Sequence, residues 1–408
     1  MTLISISENS QAPSTYAKSS KMRVDIQALR GFAVLIVLFY HAKFDFFERG
    51  FLGVDVFFVI SGYLITRLVK EGIENGTFTF SDFYFRRAKR LLPSAYVTII
   101  CSIIAAPFFL ASTELSDFRA QVIGAVTFTV NMVLWSQSGY FGGTAELKPL
   151  LHMWSLAIEE QYYFLLPAIL FFLPSRFWKL FAAMAVLVSL GLCVFLLKHT
   201  PSAAFYLLPT RAWELALGSV GVLFAGGPRL RKMVKIAFIP AVVVLLVLPF
   251  VSISALHPGP DAFLICLATL VVIVRQHSIL QSGPALRAMA RVGDLSYSLY
   301  LVHWPVFAFF NNSWMGASGI STPIVWKVSL IALSLVLAVL LNRFVEEPAR
   351  RLQIRKSYRV LFRTVGASLI VIISAFGFAQ SSASQKDYAH LRRPNQGLSP
   401  KCGVAKIF

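Results

Sequence analysis

The 408 residues are 57% hydrophobic and only 14% charged, yet carry a formal charge of +19. No soluble core needs that much apolar sequence, so the composition excludes a soluble globular enzyme and describes a polytopic membrane protein with lipid as its surroundings. Lys and Arg gather in short loops between apolar runs, which makes the charge a determinant of topology and argues against nucleic acid as a partner.

Residues 1–25 are polar and carry Lys18, Lys21 and Arg23, with no small-residue cleavage site after the first apolar run. They read as a cytoplasmic N-terminal tail leading into a retained anchor. Twelve apolar runs are long enough, or nearly so, to span: 26–46, 51–69, 91–111, 119–136, 153–173, 178–197, 206–225, 236–253, 261–274, 294–312, 323–342 and 361–379. The basic loops Arg86–Arg90, Arg229–Lys235, Arg275–Arg291 and Arg350–Arg363 belong in the cytoplasm. If all twelve runs crossed, the Arg86 and Arg229 loops would face opposite sides. Removing the weakest run, 119–136 with Gln121 and Asn131, restores agreement, so that segment is expected to be re-entrant or interfacial.

The predicted fold class is an all-α polytopic membrane protein with about eleven transmembrane helices plus one re-entrant or interfacial segment. The expected layout is a tail at 1–25, a membrane domain at 26–345, a basic cytoplasmic connector at 346–360, a final transmembrane helix at 361–379 and an extracytoplasmic tail at 380–408. That tail is polar and too short to build a domain. The arrangement places the chain in the inner (cytoplasmic) membrane, multi-pass, with the N-terminus inside and the C-terminus outside. Of four cysteines, Cys101, Cys193 and Cys266 lie in apolar runs and Cys402 in the tail, a spacing that predicts neither a disulfide framework nor a metal site.

Arg30, His41 and Asp55 lie in or beside sequence apolar enough to cross a bilayer. A charge at the centre of a membrane helix costs roughly 2.5–3.5 kcal/mol even on the lenient insertion scale, so such residues usually have a function. Arg30 and His41 are eleven residues apart. That is about three helical turns, so they share a face and are separated by roughly 16 Å of rise. One helix would then hold a cation near the cytoplasmic edge and an imidazole deep in the membrane on the same wall.

Arg30 and His41 are followed by GVDVFFVISGYLIT at 53–66, RRAKRLLP at 86–93, HMWSLAIEEQYY at 152–163, RAWELALG at 211–218, GDLSYSLYLVHWP at 293–305 and VEEPAR at 345–350. This ordered set resembles the acyltransferase-3 family, integral membrane proteins that move an acyl group, commonly acetyl from cytosolic acetyl-CoA, onto sugars of lipopolysaccharide, peptidoglycan or other carbohydrates. The resemblance implies a membrane O-acetyltransferase with acetyl-CoA as donor, no metal, and a carbohydrate or glycolipid acceptor such as lipopolysaccharide O-antigen. Some members continue from such a tail into an extracytoplasmic SGNH esterase-like domain, and this chain stops before one. Intramembrane charges would also suit a transporter or a flippase of lipid-linked glycan, or a non-catalytic scaffold. Neither alternative requires this ordered set of blocks.

Transfer from a thioester to a sugar hydroxyl needs a base and stabilisation of the developing oxyanion. His41 suits the first role, because an imidazole titrates near neutrality. Asp45, four residues on, is expected on the same face, orienting the ring or stabilising its charged form. Arg30 and the cluster Arg86, Arg87 and Arg90 are candidates for the phosphates of coenzyme A, since guanidinium forks bind phosphate bidentately. The cluster equally suits topology and anionic lipid.

In HMWSLAIEEQYY, His152, Ser155 and Glu159 fall on one helical face, but no GxSxG elbow accompanies the serine, so a nucleophilic triad is not expected. His152 and Glu159 are expected as polar walls of a cavity at the outer mouth, with Glu160 on another wall. Tyr300 and His303, on a span carrying Pro305, complete the expected substrate-binding set. Arg211 and Glu214 are expected to neutralise each other, Asp55 to pair with an arginine, and Ser61-Gly62 to permit close helix packing.

Overall fold

A computed structural model describes residues 23–138, 144–254, 256–313 and 322–351, with a few positions between 366 and 377. In chain order the helices are α1 (Val24–His41), α2 (Gly53–Glu74), α3 (Phe80–Phe109), α4 (Ser112–Val126), α5 (Val130–Ser136), α6 (Met153–Phe172), α7 (Trp178–His199), α8 (Pro201–Tyr206), α9 (Leu208–Phe224), α10 (Pro228–Val247), α11 (Pro260–Arg275), α12 (Pro284–Asp294), α13 (Ser296–Asn312), α14 (Ile324–Leu341) and α15 (Glu347–Arg351). No strand occurs among the described residues.

Helix starts follow from local chemistry. The dipeptides Gly227-Pro228, Gly259-Pro260 and Gly283-Pro284 open α10, α11 and α12, where proline's fixed φ and missing N–H cost nothing. Before α3, the Thr79 hydroxyl accepts from the Asp82 N–H at 3.2 Å and caps the first turn.

Among the described residues, six segments are long and apolar enough to cross a membrane: Val24–His41, Gly50–Glu74, Phe80–Phe109, Ser175–His199, Arg231–Phe250 and Ile324–Arg351. The expected count of about eleven is not reproduced by length and hydropathy alone. Three of the expected spans coincide with α9, α11 and α13, helices of 17, 16 and 17 residues that bury polar side chains inside the bundle. A helix surrounded by protein has no need to be apolar all round. The outward faces are apolar: Phe172, Leu187, Val188, Ile236, Ile239 and Val325 are all exposed. Such a surface is costly in water and suited to lipid.

The run expected at 119–136 is interrupted at Thr127–Thr129 and divides into α4 and α5, of 15 and 7 residues. A helix of 15 residues rises only about 22 Å, short of a hydrocarbon core of about 30 Å. At the other end of the chain, the helix does not stop at 345. A π-turn over Asn342–Glu346 carries it into α15, and Glu346 is buried, accepting from the Ser298 hydroxyl at 2.6 Å. The expected connector therefore begins as part of the packed helix. The expected final span at 361–379 and the tail at 380–408 lie almost wholly outside the described residues.

Among the described residues, three apolar clusters build the interior. One joins Val37, Phe58, Ile99, Val122, Ile158 and Leu299 from α1, α2, α3, α4, α6 and α13. A second packs α2, α9 and α11 through Val56, Val59, Trp213 and Ile265. The third closes α2, α3, α6 and α7 around Val69, Phe83, Tyr163 and Trp178. Helices α2 and α9 approach backbone to backbone: a Cβ on Gly62 would stand 1.9 Å from the Leu215 carbonyl oxygen, and one on Gly218 would stand 2.2 Å from that of Val59. The small-residue packing expected at Ser61-Gly62 is present at Gly62, whereas Ser61 faces the cavity and bonds Glu159.

Candidate active site

Helix α1 carries both Arg30 and His41 and ends at His41. His41 is half-buried, whereas His152, which immediately precedes α6, and His303, in α13, are buried. His41 Nδ1 lies 3.1 Å from His303 Nε2, and the two rings stack with centroids 5.2 Å apart. His303 Nδ1 lies 3.1 Å from the Leu299 carbonyl oxygen. The His152 ring stands edge-on to His303 at 5.9 Å, and Trp304 packs edge-on against His41 at 4.5 Å. The indole N–H of Trp304 donates to the Lys148 carbonyl at 2.7 Å, fastening the segment before α6 to α13. The Lys148 ammonium donates to the Gln137 carbonyl at 2.8 Å, and burial there pulls it below its usual range.

Asp45 is not part of this cluster. Lys43 adopts a left-handed φ of 56°, the helix has stopped, and Asp45 sits exposed in a short 3-10 turn. The i to i+4 relation expected between His41 and Asp45 requires a helix that the chain no longer follows. No hydrogen bond joins the two among the described residues, and His303 occupies Nδ1 of His41 instead.

A cavity of about 440 Å³ lies beside the histidines. Arg30 and the cluster Arg86, Arg87 and Arg90, named from the sequence as candidates for phosphate binding, all line it, together with Phe57, Phe58, Leu91 and Ile99. Their situations differ. Arg87 pairs with Glu160 at 2.7 Å and lies 3.6 Å over the Tyr163 ring, and Arg30 donates to Gln27 at 3.2 Å. Arg86 and Arg90 are exposed. Glu159 accepts from Ser61 at 2.9 Å and from Tyr163 at 3.2 Å.

Glu159 and Glu160 both line this arginine cavity and His152 does not, so Glu159 does not share a wall with His152 as expected. Seven residues of helix separate His152 from Glu159, a rise of about 10 Å that carries the glutamate away from the histidines. Ser61, Tyr163 and Trp304 lie within the ordered sequence blocks but carry no charge, and only the packing shows their part at the site.

Tyr300 and Ser155 form the partition between the two features. Both line the cavity, and their hydroxyls are 2.6 Å apart. The Tyr300 hydroxyl also lies 2.9 Å from the His152 carbonyl oxygen, and its ring is 5.5 Å from that of His303. Ser155 is thus bonded to a phenol and, at 3.3 Å, to a backbone carbonyl rather than to a base, as the missing elbow implied.

A second buried polar group neighbours this region. Arg211 pairs with Asp55 at 2.9 Å and with Glu214 at 3.2 Å, all three fully buried. Asp55, Glu214 and Cys266 also bring possible ligand atoms within 4.8 Å of one another. The guanidinium bridges the two carboxylates and offsets one negative charge, an internal tie between α2 and α9.

Residues 23–343 match the family described as an acyltransferase domain. The chain belongs to this acyltransferase family. Similar to it are the O-acetyltransferase OatA of Staphylococcus aureus (strain NCTC 8325 / PS 47), 30% identical over 347 residues, and the peptidoglycan O-acetyltransferase OatA of Listeria monocytogenes, 30% identical over 356 residues. The first match covers 80% of this chain and 57% of the relative, the second 82% and 56%. The putative peptidoglycan O-acetyltransferase YrhL of Bacillus subtilis is 30% identical over 362 residues, covering 83% of this chain and 56% of its own. The chain thus spans a little over half the length of these relatives. No solved structure matches it. The acyltransferase match contains every candidate site residue, from Arg30 to His303.

Proposed function

We propose that this acyltransferase is a membrane O-acetyltransferase that carries acetyl from cytosolic acetyl-CoA to a hydroxyl of a cell-envelope polysaccharide. The observation that carries the reading is the half-buried His41 in contact with His303, whose neighbour Tyr300 lines the basic cavity together with Ser155. In this reading Arg86 and Arg90 meet the phosphates of the donor at the cavity mouth, and Arg30 adds charge deeper in. The apolar wall of Phe57, Phe58, Leu91 and Ile99 suits the pantetheine arm and leads the thioester toward Tyr300.

His41 then takes the acceptor hydroxyl proton as the oxygen forms its bond to the thioester carbonyl carbon. The carbon–sulfur bond breaks, and the departing thiolate recovers the proton from His41. Nothing is left over: the products are an O-acetyl ester and a free thiol. The names of the Listeria and Bacillus relatives make peptidoglycan the first acceptor to test and lipopolysaccharide O-antigen the second. A transporter or flippase reading gains no support from the family match.

The test is transfer of labelled acetyl from acetyl-CoA to glycan by protein in lipid nanodiscs, with wild type and His41→Gln compared per mole of folded protein. Glutamine keeps hydrogen bonding but accepts no proton near neutral pH. The variant is expected to lose about 10²- to 10⁴-fold in rate. Undiminished transfer by the folded variant would remove His41 as the base.

A further inference from the structure

We infer that His303 is a positioning residue that holds His41 in the tautomer with its proton on Nδ1, so that Nε2 of His41 carries the lone pair presented to the acceptor. The inference rests on His41 being the base and goes one step further, to the atom that accepts the proton.

The argument is one of donor and acceptor counting. A backbone carbonyl only accepts, so the 3.1 Å contact between His303 Nδ1 and the Leu299 oxygen requires the proton of His303 to be on Nδ1. In the neutral ring Nε2 of His303 is then an acceptor. The 3.1 Å contact from that atom to His41 Nδ1 requires a proton on His41 Nδ1, which leaves Nε2 of neutral His41 unprotonated. Each link has one consistent assignment.

The surroundings keep the chain of contacts in place. His303 is buried and lies between the rings of Tyr300, His152 and His41, with centroids at 5.5, 5.9 and 5.2 Å. Trp304 closes the side of His41 at 4.5 Å, and its own indole N–H is committed to the Lys148 carbonyl. No Asp or Glu side chain bonds either ring among the described residues, so a neutral imidazole performs the orienting task that a carboxylate performs in a serine-protease triad. His303 is not a relay. Its Nδ1 proton is already given to Leu299, and it would have to release that proton to pass another on. As His41 gains a proton its Nδ1–H becomes a charge-assisted donor, so the bond to His303 strengthens as acyl transfer proceeds.

Two measurements test this. In protein uniformly labelled with ¹⁵N-histidine and held in lipid at neutral pH, solid-state NMR reads the protonation of each ring nitrogen, and the His41 signals are those missing from His41→Gln. The expected wild-type result is a protonated Nδ1 and a bare Nε2. A proton on Nε2 of His41 would overturn the inference whatever the activity.

The second measurement compares His303→Gln, whose amide oxygen can replace the Nε2 acceptor, with His303→Phe, which offers none. The Gln variant is expected to stay within about tenfold of wild type in kcat, and the Phe variant to lose about 10²-fold or more with KM for acetyl-CoA unchanged. Equal activities in the two folded variants would overturn the inference. Should the Phe variant fail to fold, the wild-type tautomer still decides. The two readings fail separately: an active His41→Gln sinks the base, whereas an Nε2–H tautomer with an inactive His41→Gln sinks only the positioning role.

Discussion

Arg87 and Arg90 stand three residues apart on α3 but have different surroundings. The first is held between the Glu160 carboxylate and the Tyr163 ring, and the second is exposed at the cavity mouth. Charge-assisted hydrogen bonds contribute about 1.5–3 kcal/mol. Arg90→Gln should therefore weaken coenzyme A binding by about tenfold or more while leaving the amount of folded protein unchanged. Arg87→Gln should instead lower folded protein, because Glu160 loses its countercharge. Isothermal titration with coenzyme A and size-exclusion profiles separate the two, and equal binding loss with normal folding in both variants would contradict the distinction. The sequence presented the arginines as one basic cluster because charge and spacing are local. The partner of Arg87 is 73 residues away and becomes visible only when α3 meets α6.

At the scale of elements, α1 shows both how far periodicity reaches and where it ends. The eleven-residue spacing of Arg30 and His41 lies within a single helix, as the apolar run suggested. The same reasoning fails four residues later, because the left-handed turn at Lys43 ends the helix before Asp45. The ordered sequence blocks brought Tyr300 and His303 to notice, but their contact with His41 depends on α13 packing beside α1.

The α2–α9 contact gives a direct test of such packing. Gly218→Ala places a methyl against the Val59 carbonyl and Gly62 and should destabilise by about 1–3 kcal/mol, read as a lower melting temperature in detergent. Gly191→Ala on α7, where nothing lies within 4 Å, is the control and should be neutral or slightly stabilising. Equal melting temperatures for Gly218→Ala and wild type would mean that the helices are not in backbone contact.

At the scale of the whole molecule, the chain sets a basic cavity and a histidine cluster on either side of the Tyr300–Ser155 partition. We propose in addition that the cavity opens to the cytoplasm and that His41 serves the opposite side, which would make the protein a route for an acyl group across the membrane as well as a catalyst. That claim is tested most directly in sealed inverted membrane vesicles, with glycan acceptor enclosed and labelled acetyl-CoA supplied only outside, at the former cytoplasmic face. The account predicts labelled glycan in the lumen with the wild-type protein, and none above background with His41→Gln at equal abundance. Transfer only to glycan on the same side as the donor, or luminal labelling undiminished in His41→Gln, would contradict it.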